Sequence, residues 1–345
     1  MSQPACHQGI LLSGFADEVV ASKSFDIQCS VFAALGLRYL SLRFVDVGQG
    51  ARNLMDLDDR SLDRVQDLLK THDLSVSSIG SPIGKILLRD VDDGTGNRYC
   101  PFDEYLQRDV NRAFDLAERF QTRLVRGFSF YPPRGEKPED HLDEVVDRLR
   151  AIADAGDQRG LTFGLEVEAN LVGQTGDLLA EIHRRVDHPA LVLVFDGGNL
   201  VTQGFTTEQV FEQYLAMKPG LGWIHIKDYA NRRPGERIVH VDEEALCDFV
   251  PADRGDSGYP AILADLFKSL PEMTSRLAER GIPGLFADLE PHVRGGGQFG
   301  GYSGPDGFGI ALRAFGALLD EARIPYRLRE FPDLKSCSAS NRGSA

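Results

Sequence analysis

Cysteine is scarce and scattered. Cys6, Cys29, Cys100, Cys247 and Cys337 make an odd number with no C-x-x-C pair. That usage excludes a disulfide framework and a thiolate zinc ribbon, and it fits a reducing cytoplasm. No apolar run approaches the roughly 18 residues that a membrane span requires. The N-terminal stretch MSQPACHQGILLSGFADE has no basic segment, and its apolar run Ile10–Leu12 is too short for a signal peptide, so the expectation is a protein that is not exported. Positive charge is the minority sign, with 38 Lys+Arg against 52 Asp+Glu and a net charge of −14. Such a field opposes phosphate backbones and anionic lipid, so neither nucleic acid nor a membrane is an expected partner. A G-x-G-x-x-G after the first apolar run is also missing, which removes the commonest sign of a dinucleotide-binding fold.

What is present is ordinary globular material, 42% hydrophobic and 26% charged, enough for a large core. Short β-type runs alternate with longer helix-period stretches, as when parallel strands are covered by crossover helices. The strand candidates begin at Gly9, Arg38, Leu74, Thr122, Leu161, Leu191, Leu221 and Gly284. Helical stretches such as DEYLQRDVNRAFDLAERF and LDEVVDRLRAIADAGDQRG lie between them, the second closing on Gly160 as a helix stop. Eight such units predict an α/β fold of the (β/α)₈ barrel type, which typically takes about 250 residues. The surplus length falls after strand 3 (89–101), after strand 7 (229–259) and in the glycine-rich VRGGGQFGGYSGPDG after strand 8. All three follow strand C-termini, the face on which barrel active sites are built. Residues 1–324 are expected to form one barrel domain, and 325–345 a flexible tail.

The last residues of strands 5 to 8 carry the chemistry. LEVEAN supplies Glu166 and Glu168, VFDGGN supplies Asp196, WIHIKD supplies His225 and Asp228, and DLEPH supplies Glu290 and His292. Apolar strands that each end in an acid or an imidazole would crowd charge at a barrel rim, at a desolvation cost that a shared cation removes. Three carboxylates and one imidazole suit a hard or borderline divalent ion. Mn²⁺ heads the expected ions, with Mg²⁺, Co²⁺ and Zn²⁺ as alternatives. Taken singly, each residue reads equally well as a solvated strand end, or, for Asp196 before GGN, as a helix N-cap. Arg43, Lys85 and Arg126 are cations at strand ends, suited either to an anionic substrate group or to neutralising the nearby acids. Asp17 and Glu18 end strand 1 as partners for those cations or as acceptors for polyol hydroxyls.

With GFADE in strand 1, SPIGK after strand 3, FSFY in strand 4, E-x-E in strand 5, D-x-x-N in strand 6, IHIKD in strand 7 and EPH in strand 8, nearly the whole chain resembles the sugar phosphate isomerase/epimerase group of the xylose isomerase-like TIM barrels. The resemblance implies that Glu166, Asp196, His225 and Glu290 hold one divalent metal ion. It also implies that Glu166 and Glu290 face opposite sides of the substrate carbon and exchange its proton. Glu168, Asn199, Lys85, Arg43, Arg126, Asp228 and His292 would then contact substrate. One departure stands out: many relatives carry D-x-x-H in strand 6, whereas Asn199 here is an amide that cannot act as a base.

The expected activity is therefore metal-dependent isomerisation or epimerisation of a sugar or sugar phosphate through an enediolate, the glycine-rich segment Gly295–Gly304 serving as a lid. The same proton removal would also begin elimination from a 3-keto sugar or glycoside, a lyase or deglycosylase reaction. A non-catalytic sugar-binding protein is the rival outside enzymology, opposed by the retention of all four ligand positions. A DNA-repair endonuclease would need further strand-end histidines and a basic groove, which the sequence does not supply. The partner expected is a small sugar-like molecule, and self-association as a homo-oligomer is left open.

Overall fold

The structure, a computed structural model, describes residues 9–295 and 301–330. Eight parallel strands form one sheet: β1 (Ile10–Gly14), β2 (Tyr39–Leu42), β3 (Ser75–Ile83), β4 (Leu124–Gly127), β5 (Thr162–Glu166), β6 (Leu191–Asp196), β7 (Leu221–Ile226) and β8 (Leu285–Leu289). Neighbours in sequence are neighbours in space from β2 to β8, and β8 pairs with β1 in register from Leu285 with Ile10 to Leu289 with Gly14. A parallel bridge between Phe15 and Ser41 joins β1 to β2, so the sheet curls into a nearly closed (β/α)₈ barrel.

The outer layer is α1 (Phe25–Ala34), α2 (Asp59–Thr71), α3 (Asn111–Arg119), α4 (Leu142–Asp157), α5 (Gly176–Val186), α6 (Thr207–Met217), α7 (Tyr259–Glu279) and α8 (Gly304–Glu321). Each turns an apolar stripe inward. In α4 the stripe is Val145, Val146, Leu149, Ile152 and Ala153, at helical spacing. Helix α4 ends as its sequence indicates: Leu161 N donates to Gly156 O and Gly160 N to Asp157 O, with Gly160 at φ +65°. That hydrogen-bond pair is a Schellman stop, and it requires the left-handed backbone that glycine adopts freely.

Part of the barrel interior is polar. Ser13, Ser41, Ser77 and Ser78 join hydroxyl to hydroxyl, and Ser41 donates to the buried carboxylate of Asp288. The loop after β7 is shaped by a two-residue antiparallel ladder between Asp228–Tyr229 and Phe249–Val250. It is also pinned by Asn170, whose side chain exchanges two 2.9 Å hydrogen bonds with the backbone of Val241. This folds the loop back over the strand C-termini.

Residues 325–330, read from sequence as the start of a flexible tail, are tied to the N-terminal end of the barrel. Pro325 O accepts from Ile10 N, Arg329 N donates to Gly36 O, and the Arg329 guanidinium pairs with Asp73. The polar composition of this stretch concealed those backbone partners. Residues 331–345, and 296–300 of the expected lid, lie outside the described residues.

Candidate functional site

Glu166 is the last residue of β5 and Asp196 the last of β6; His225 is the penultimate residue of β7, and Glu290 follows β8 directly. Parallel register places Asp196 beside His225, so four strand ends deliver four side chains to one point. Glu166, Asp196, His225 and Glu290 each offer a ligand atom, and these atoms lie within 4.8 Å of one another. His225 Nδ1 is 3.2 Å from Glu166, 3.6 Å from Glu290 and 3.9 Å from Asp196. All four residues are buried, and Trp223 and Phe15 meet the His225 ring edge-on.

Asp196 fulfils both readings of its position. One carboxylate oxygen caps the short helix Gly197–Val201 by accepting from Asn199 N, and the other faces the cluster. Glu166 Oε2, Asp196 Oδ2 and both ring nitrogens of His225 are buried without a well-aligned hydrogen bond. Groups of this kind seldom stay unsatisfied in a folded protein, and a hard or borderline divalent cation is the partner that three carboxylates and an imidazole fit.

Cations ring the cluster. Arg126 Nη1 lies 3.3 Å from Glu166, Lys227 Nζ lies 2.9 Å from Asp196 and 3.5 Å from Glu290, and Arg43 pairs with Glu290 and with Asp17. Both guanidinium groups pack over Phe15, at 4.3 and 4.8 Å. Burial works against every charge here, and the pairing decides the outcome. His225 and Arg126 outweigh burial to hold Glu166 at about 2. Lys227 and Arg43 likewise keep Glu290 well below the carboxylate range. At Asp196 burial prevails over Lys227 and raises the carboxyl to about 6.

The cluster sits at the bottom of a cavity of about 940 Å³. Arg43, Lys85, Arg126, Glu168, Asn199 and His292 line the same space. Lys85 pairs with Glu168 at 3.2 Å and lies over Phe128, and Asn199 donates to Glu166 and to Val167 O. His292 is held by Glu18, which accepts from its backbone N–H at 3.0 Å and lies 2.7 Å from its Nδ1, leaving Nε2 3.9 Å from Glu290. Asp17 is thus a partner of Arg43, as read from sequence, while Glu18 serves His292.

Asp228 departs from the expected substrate contact. Its carboxylate accepts from Ser257 N and Oγ and from Tyr229 N, and it does not line the cavity. The cause is strand alternation: two residues beyond His225, Lys227 keeps the cavity face and Asp228 takes the opposite one. Lys227 is a cavity-lining residue that the sequence reading missed, and alternation from His225 would have found it. Glu243, carried in by the loop after β7, also lines the cavity and had no sequence signal.

Solved structures share the architecture. The probable 3-DHS dehydratase AsbF, involved in petrobactin synthesis in Bacillus anthracis, is 18% identical with a TM-score of 0.60, over 89% of this chain and 99% of that one. A xylose isomerase-like TIM barrel protein from Mycobacterium smegmatis, in complex with magnesium, is 19% identical with a TM-score of 0.61, over 92% and 99%. D-allulose 3-epimerase from Methylomonas sp. is 15% identical with a TM-score of 0.57, over 91% and 100%. At these identities the likeness establishes the fold. No curated protein matches the sequence. No helix among the described residues is long and apolar enough to cross a membrane. The sequence pattern of the xylose isomerase-like TIM barrel family matches residues 29–295, most of the length, and the chain belongs to that family.

Proposed function

We propose that this protein is a divalent-metal-dependent enzyme that moves a proton beside the carbonyl of a sugar or sugar derivative, interconverting epimers or aldose and ketose. The observation that carries the reading is the convergence of Glu166, Asp196, His225 and Glu290 within 4.8 Å at the bottom of a cavity large enough for a sugar. Those four residues would hold the ion, with Mn²⁺ the first candidate. The bound ion supplies Lewis-acid polarisation, which lowers the cost of an enediolate.

The chain's own groups do the rest. Glu166 and Glu290, from β5 and from the end of β8 across His225, are the carboxylates that exchange the carbon-bound proton. Asn199 holds Glu166 through its amide, and Lys85, Glu168 and His292 offer donors and acceptors to hydroxyls along the cavity wall. The acidic overall charge favours a small soluble substrate over nucleic acid. The neighbours named as an epimerase and as a probable dehydratase agree with this class of chemistry.

Elimination from a 3-keto sugar is a second reading that one observation favours. His292 is fixed by Glu18 with Nε2 turned toward Glu290, which places an imidazole nitrogen beside the carboxylates that, in the protonated ring, can pass a proton to a departing hydroxyl or glycosyl oxygen. Incubation with free ketoses, phosphorylated sugars and 3-keto glycosides under added Mn²⁺, with products identified by NMR, tests the two readings. An epimer or isomer supports the first, an unsaturated product the second. No ion-dependent change in any of these classes would contradict both.

A further inference from the structure

Lys227 is buried to 5% exposure between two carboxylates that the ion would claim, 2.9 Å from Asp196 Oδ2 and 3.5 Å from Glu290 Oε2. The fold makes room for it. At Gly198, in the GGN turn after β6, a Cβ would come within 2.8 Å of Lys227 Cγ and 3.0 Å of its carbonyl oxygen. Even alanine at 198 would therefore crowd the lysine stem.

An ammonium is buried at a cost of several kcal/mol unless its charge is used. The pairing around it shows two uses. Arg43 has Asp17, Lys85 has Glu168 and Arg126 has Glu166, whereas the carboxylates within reach of Lys227 are Asp196 and Glu290, both of them ligand candidates. An ion held by these two would draw their charge away from the ammonium, which lines the cavity beside them. A buried ammonium so placed is matched by an oxyanion of the substrate.

We propose that Lys227 is a further catalytic residue, which lies between Asp196 and Glu290 and binds a substrate oxyanion when those carboxylates hold the ion. The proposal rests on the metal-enzyme reading above. The oxyanion is either a carboxylate that the substrate already carries or the enediolate formed from a neutral one. The ammonium is suited to both, because it is a compact point charge on a flexible stem and can follow the oxygen.

Calorimetric titration with Mn²⁺ separates this role from a structural one. Lys227→Met keeps the stem and removes the charge. It is expected to bind Mn²⁺ at least tenfold more tightly than wild type, because a neighbouring positive charge has gone. Two probes then follow on Mn²⁺-saturated protein, glycolohydroxamate as an enediolate mimic and gluconate as a carboxylate-bearing sugar acid. Weaker binding to the variant of the hydroxamate alone assigns Lys227 to the enediolate, and weaker binding of gluconate as well assigns it to a substrate carboxylate. Unchanged or weaker Mn²⁺ binding by a variant with native circular dichroism, or equal binding of both probes by variant and wild type, overturns the proposal and leaves the metal-enzyme reading intact. Failure of the wild type to bind any divalent ion removes both. Lys227→Gln repeats the comparison with a polar stem should the methionine variant not fold.

Discussion

Asp228 and Lys227 are adjacent in sequence and opposite in environment, and the contrast gives Asp228 a measurable signature. Burial pushes its carboxyl up to about 7 from 3.8, against the hydrogen bonds donated by Ser257 and Tyr229. Between those pH values the folded chain retains a proton that the unfolded chain has released, so this residue makes stability fall as pH rises from about 4 to about 7. Its favourable contribution is complete below the unfolded value and is lost by the time pH has passed the folded one. Asp228→Asn should therefore lose less stability than wild type between pH 5 and pH 8 in urea unfolding. The difference is at most a few kcal/mol, because each tenfold change in proton affinity between the folded and unfolded chain is worth about 1.4 kcal/mol. Parallel pH profiles would show that Asp228 ionises normally in the fold. The same pair marks the limit of reading at this scale. Glu166, Asp196, His225 and Glu290 stood out because apolar strands ended on them, whereas Lys227 was one basic residue inside IHIKD, and its meaning came from which face of the strand it occupies.

Each barrel strand was legible because its apolar run is bounded by turn residues, and β6 and β7 begin on Leu191 and Leu221 as read. Helix stops were legible where glycine chemistry is local, as at Gly160. Alanine there would meet only Arg123 Nη1 at 3.4 Å, so the cost comes from holding an L-residue at φ +65°. Gly160→Ala should destabilise by roughly 1–2 kcal/mol in chemical unfolding with the denaturant slope unchanged. A neutral effect would show that the α4 terminus rearranges without loss. The loops were less legible. The segment after β7 is placed by the Asn170–Val241 exchange, across 71 residues of sequence, and no local pattern announces such a contact. The docking of Pro325–Arg329 was hidden for the same reason: its partners Ile10, Gly36 and Asp73 are brought near by the closed barrel.

For the whole molecule, binding at one buried cluster is coupled to global stability, since an ion that binds only the folded chain stabilises it by mass action. Mn²⁺ at about 100 times its Kd should add about 2.7 kcal/mol and raise Tm, and a chelator should reverse the change. Asp196→Ala should remain folded but lose this ion-dependent rise, along with about 1 kcal/mol from the missing helix cap. An ion-dependent rise of wild-type size in that variant would place the ion elsewhere. The central claim, however, concerns a proton on carbon, and exchange in D₂O tests it most directly. With its substrate and Mn²⁺, the wild-type protein should place deuterium on the carbon beside the carbonyl. Glu166→Gln and Glu290→Gln keep the side-chain shape and one ligating oxygen but cannot accept the proton. With ion content verified, each should slow that exchange on the order of 10²–10⁴-fold. Exchange at near wild-type rates in both ion-loaded variants would contradict the account.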